Sequence, residues 1–207
     1  ASNNTVMYCE AHDFTTTNAE EFKQHLSDGA WHPTPRYTTT VKNLTILGAT
    51  GATVNGFVVT SGHAVGDVYD YVRDIDYNSG SAYYSTMILK NIKFTNVAFT
   101  GRIDINTSDA ESTYDGVTFE GCTFTTGGTA EANGPAIRYY NEANNGNVRN
   151  ITVKDCQFKD CRQGVYTHHV NGVTVTGCEF KNTGHNAIAV QTHGSTTTDH
   201  KNVVITD

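Results

Sequence analysis

Basic residues, proline, methionine and long apolar runs are all scarce in this chain. Lys and Arg number 14 against 21 Asp and Glu, a formal charge of −7 with nine His neutral. That balance argues against nucleic acid or an anionic lipid surface as the main partner, since both demand concentrated cations. No apolar stretch approaches the roughly 18 residues of a membrane span, so membrane insertion is not expected. No Cys-x-x-Cys pair is present, which removes the usual zinc-knuckle framework. A Gly-rich calcium nonapeptide repeat is missing too, and neither a metal nor another cofactor is expected. Ala1 does not open a signal sequence, so the chain is expected to be the mature part of a longer protein.

What the chain does hold is Gly, Tyr, Asn and Thr, a mixture suited to many short strands joined by tight turns. It is also the composition of secreted bacterial proteins, and an extracellular or cell-surface location is the expectation. Six segments share one grammar: an Asn or Gly, a β-branched residue or Leu, a polar residue, a second apolar residue. They are Asn43–Ile46, Asn91–Phe94, Gly116–Phe119, Asn150–Val153, Gly172–Val175 and Asn202–Ile205. Four continue to an apolar pair, Val97/Phe99, Cys122/Phe124, Cys156/Phe158 and Cys178/Phe180. Repeats of roughly 20–50 residues mark a solenoid, because each unit has an apolar face that only its neighbours can bury.

The strand copies start 48, 25, 34, 22 and 30 residues apart. Gaps of 22 and 25 fit one turn of a parallel β-helix, while 30 and 34 imply outward loops. The 48-residue gap calls for an extra coil or a long loop through Gly62–Tyr84. A second strand follows each first one, with Ile103/Ile105, Ile137/Tyr139, Val165/Thr167 and Ile188/Val190 alternating inward. Residues 1–41 read as a cap: Thr17–Glu20 forms a capping box, and Phe22 and Leu26 share one face of a short helix that Gly29 ends. Residues 42–207 read as the coils. The chain stops at Asp207, inside its sixth strand copy, so further C-terminal coils are expected.

Cys122, Cys156 and Cys178 occupy one register of the repeat. Stacked Cβ vectors run parallel, which is poor disulfide geometry, so a ladder of buried free thiols is expected. A local Cys156–Cys161 bridge is the alternative.

These repeats resemble the right-handed parallel β-helix superfamily that includes pectate lyases and polygalacturonases, over roughly residues 42–207. The resemblance implies an all-β, right-handed parallel β-helix with a short N-terminal capping helix. On function it implies little, because such coils serve enzymes, adhesins and phage tailspikes alike.

With a packed interior, any site must be built from outward side chains on adjacent coils. Aligning the second-strand copies gives one outward row of Asp104, Arg138, Tyr166 and Ala189, and another of Asn106, Tyr140, His168 and Gln191, with His169 and His193 at the margin. Tyrosine rings offer flat apolar area with a polar tip, suited to sugar faces or protein side chains. The plainer reading is a solvated sheet face on which Asp104 and Arg138 make a cross-strand ion pair of little energetic worth. His168 and His169 should point to opposite faces of a continuing strand, and His168 with His193 would lack a third ligand, so no metal site is expected. Sequons at Asn3, Asn43, Asn106 and Asn150 are what chance supplies in so Asn- and Thr-rich a chain.

A glycosidase needs two carboxyl groups, about 5 Å apart for retention or about 6.5–9.5 Å for inversion. Asp104 is the one acid on the aligned strands, so a partner must come from Asp109, Glu111, Glu142, Asp74 or Asp76. Asn106–Asp109 and Gly184–Asn186 echo the polygalacturonase pattern faintly, but its paired central aspartates and Arg-x-Lys segment are missing. Gly184–Asn186 reads more simply as a turn. The leading expectation is an adhesin-like binding domain of a bacterial surface protein. It would recognise a host glycan or a host protein, such as an immunoglobulin or mucin. The alternatives are a fragment of a carbohydrate-active enzyme, hydrolase or lyase, using Asp104, and a purely structural stalk.

Overall fold

The computed structural model describes residues 36–64, 83–107, 112–141, 146–191 and 202–207. The backbone winds in coils, and its strands fall into three parallel files, numbered here in chain order. The first file holds β1 (Arg36–Leu47), β3 (Tyr83–Thr95), β6 (Thr113–Glu120), β9 (Val148–Lys154), β12 (Asn171–Thr176) and β15 (Val203–Thr206). The second holds β4 (Ala98–Phe99), β7 (Thr123–Gly128), β10 (Gln157–Cys161) and β13 (Glu179–Thr183). The third holds β2 (Val58–Ala64), β5 (Ile103–Thr107), β8 (Pro135–Asn141), β11 (Gln163–His168) and β14 (Ile188–Gln191).

The six repeated segments are the first file, in the register their grammar predicts. Leu44, Ile92, Val117, Ile151, Val173 and Val203 lie opposite one another on successive rungs. The leading Asn or Gly has a backbone cause. Asn43, Asn91, Asn150 and Asn202 sit at φ 53–58°, and Gly116 and Gly172 at φ 75° and 72°. These are left-handed positions, which only Gly and, less readily, Asn or Asp adopt without a large steric penalty. Asn91 Nδ2 also donates to Asn43 Oδ1 at 3.0 Å, tying one rung to the next.

Phe99, Phe124, Phe158 and Phe180 share one register in the second file. Their rings stack at centroid separations of 5.1, 4.7 and 4.7 Å. Phe57, Phe94 and Phe119 form a second stack beside them, at 5.3 and 5.0 Å. Burial of each such side chain stabilises by about 1.5–3 kcal/mol before entropy is charged against it. Tyr139 lies wholly inside with no partner for its hydroxyl among the described residues, and burial pushes its phenol pKa well up.

The four described cysteines are free thiols. Cys122, Cys156 and Cys178 repeat one arrangement: each Sγ donates to the carbonyl two residues back, Glu120, Lys154 and Thr176 respectively. Cys161 lies opposite Gly128 and Thr183, so it has no thiol neighbour in its file.

Within the 48-residue gap, the described residues supply one ordinary coil. Val54 bridges Phe99, and β2 pairs in parallel with β5, which completes the first coil. β2 also pairs antiparallel with β3, from Gly62↔Ser85 to Ala64↔Tyr83, the one departure from parallel pairing among the described strands. β1 opens at Arg36, ahead of the coil start expected at residue 42. The expected helix at 17–29 lies outside the described residues.

Candidate ligand-binding wall

The third file sets out both predicted rows. Val58, Asp104, Arg138, Tyr166 and Ala189 are opposite one another, as are Thr60, Asn106, Tyr140, His168 and Gln191. Ile103, Ile105, Ile137, Tyr139 and Val165 alternate with them and are buried, so the core pins the wall in place. His193 and the acids Asp74, Asp76, Asp109, Glu111 and Glu142 lie outside the described residues.

Three expectations about this wall need correction. Asp104 is not half of a solvated ion pair: its carboxylate is only 5% exposed and takes two guanidiniums. Arg138 Nε donates to Oδ1 at 2.8 Å, and Arg102 Nη2 reaches Oδ2 at 3.1 Å. A carboxylate that buried keeps off most of the water that would weaken the pair.

Next, His168 and His169 do not diverge. The strand ends at His168, and His169 turns to φ 52°, which brings the two rings to a centroid separation of 4.0 Å. Both are buried rather than surface imidazoles. The Asn141 and His169 pair closes this corner, with Asn141 Nδ2 donating to the His169 carbonyl at 2.9 Å.

Last, Tyr140 does not offer a bare ring face. His168 stacks on it at 4.5 Å with planes 15° apart, and the Arg138 guanidinium lies 5.4 Å from its centroid. Tyr140 thus spends its face on its neighbours, and, with His168 buried, only the half-buried Tyr140 of the two has a polar edge to offer. Tyr166 OH donates to Gln191 Oε1 at 3.0 Å. Burial is the main cause raising the Tyr166 pKa, with the neighbouring Tyr140 adding to it, so the phenol stays a donor.

Sequence reasoning missed Arg102. A partial signal was present in its position two residues before Asp104, but Arg102 lies just outside β5, where strand alternation does not assign a face. Gly134 leaves room for Arg102, since a Cβ there would lie 2.6 Å from its Nη1.

A family model described as a right-handed β-helix region matches residues 32–205. The chain belongs to the right-handed β-helix family. No curated protein and no solved structure matches it. Within this β-helix, Asp104 is badly placed for acid or nucleophilic catalysis, because both its oxygens are occupied by cations and water barely reaches them. Among the described residues, no group of three or more His, Cys, Asp or Glu is arranged to hold a metal ion. Nor is any described helix long and apolar enough to cross a membrane.

Proposed function

We propose that this β-helix is a glycan-binding domain of an extracellular, adhesin-like surface protein, with the third-file wall as its contact surface. One observation carries the reading: the His168 ring and the Arg138 guanidinium occupy the Tyr140 face, so this part of the wall offers a ligand the polar edges of half-buried Arg138, Tyr140 and Tyr166 rather than a bare aromatic face. A ligand meeting such edges gains hydrogen bonds more than apolar contact, and a saccharide, dense in hydroxyls, matches that demand better than the apolar side chains that dominate protein hot spots. Rigidity supports the same reading. Donors held by a stacked core lose little conformational freedom on binding.

Asn106, Gln191 and Tyr166 extend the polar strip along the coil axis over four rungs. At about 4.8 Å per rung the strip is long enough for a short oligosaccharide rather than a single sugar. A glycan array run beside a host-protein array, with immunoglobulin and mucin included, tests the assignment. Retention on saccharides that falls with Tyr140→Phe and Tyr166→Phe, which keep the rings and delete the hydroxyls, is the expected result. Binding only to proteins, or binding indifferent to both variants, would remove the wall from consideration.

A further inference from the structure

The wall carries a charge feature that its chain-wide acidity hides. Two guanidiniums share the single carboxylate of Asp104, so one positive charge is left over among the described residues of the cluster. A guanidinium has five N–H donors. Arg138 commits Nε to Asp104, and Arg102 commits one terminal nitrogen. The Arg102 and Arg138 side chains remain 41% and 32% exposed, while the carboxylate that aims them is 5% exposed. The anion is inside and the donors are outside.

We infer that Arg102 and Arg138 form an anion subsite on this wall, taking a carboxylate or sulfate group carried by the saccharide. The inference rests on the glycan reading and adds the class of sugar, an acidic one. Asp104 is the positioning residue. Its two oxygens hold two forks on one centre, and Tyr140 limits the swing of Arg138 from the ring side. Gly134, at φ 61°, leaves the space that the Arg102 guanidinium fills. Anionic groups pair with arginine forks through charge-assisted hydrogen bonds, which are shorter and stronger than those between neutral groups. Neutral sugars would engage the Tyr140, Tyr166 and Gln191 edges but leave these donors to water.

Matched ligands test this without altering the protein. Hyaluronan and alginate tetrasaccharides are titrated calorimetrically beside their carboxyl-reduced counterparts, and a chondroitin sulfate tetrasaccharide beside its desulfated form. The first pairs read carboxylate recognition and the last reads sulfate. The charged member of at least one pair should bind about tenfold or more tighter, with the advantage shrinking as salt rises. Arg102→Gln leaves Asp104 paired with Arg138, so the variant should still fold, with a lowered melting temperature, and should erase most of that advantage. Arg138→Lys, which keeps the charge and loses the fork, should erase part of it. Equal affinity for charged and neutral members, or discrimination that survives Arg102→Gln, overturns the acidic-sugar inference while leaving glycan binding standing. Failure of every saccharide to bind overturns both.

Discussion

Tyr140 and His168, one coil apart in the same register, stack with centroids 4.5 Å apart and planes 15° from parallel. Each ring limits the other, and the pair sets the direction in which the Tyr140 hydroxyl points. A double-mutant cycle of Tyr140→Ala and His168→Ala in urea should return a coupling of about 0.5–1.5 kcal/mol, the usual range for stacked aromatic pairs. Additive losses would mean that the rings are neighbours without being partners.

The phenylalanine ladder makes a sharper demand on stability. Phe158 is buried between Phe124 and Phe180, with neighbouring rings 4.7 Å away on either side. Phe158→Ala should cost about 3–5 kcal/mol, since collapse around the hole would require two stacked rings to shift together. Phe180 is only half-buried and should cost less on the same substitution. Urea melts of both variants check the order. A loss at Phe180 equal to that at Phe158 would contradict the ladder as the main support of this file.

Most of the fold was legible because its physics is local and repeats. The left-handed corner admits few residue types, so Asn or Gly recurs at the same register position of every first-file rung, and the alternation after it assigns the faces. The same alternation gave the rows of the wall. What it could not give is how far a long side chain leans once its backbone is placed. Asp104 looked like a solvated acid because nothing in the row shows that Arg102, at the turn before β5, folds back over it. The two histidines were assigned to opposite faces on the assumption of a continuing strand, and a single residue at φ 52° undid that. β2 was legible only as an unplaced extra coil, because Val58–Ala64 carries no Asn-led grammar, and its pairings with β5 and β3 are what place it.

The corner itself can be tested by its side-chain preference. Asn91 is exposed, sits at φ 53°, and donates to Asn43. Asn91→Ala forces a Cβ-bearing residue with no compensating amide into the left-handed region, at a cost of about 1–2 kcal/mol. Asn91→Gly relieves the backbone and gives up only an exposed hydrogen bond, so it should fall between wild type and Ala. Thermal melts rank the three. An Ala variant as stable as the Gly variant would show that the asparagine is kept for some reason other than its backbone angle.

Acid stability should pass through Asp115. Partial burial pulls its pKa up, but hydrogen bonds from Asn150, at 2.7 Å, and from Arg149, at 3.0 Å, outweigh that and hold it below its ordinary 3.8. A carboxyl whose folded pKa is depressed binds protons more readily when unfolded. It therefore contributes stability in full above the unfolded pKa and loses it as pH falls through the folded one. The window opens near pH 3.8 and extends downward. Glu120, held low by Lys93 and Lys154, acts in the same direction from a more exposed position. Melting temperature followed from neutral pH into this range should decline for the wild type, and Asp115→Asn should start lower and decline less. Parallel curves for the two proteins would show that Asp115 titrates alike folded and unfolded, and that its bonds to Arg149 and Asn150 add nothing to the stack.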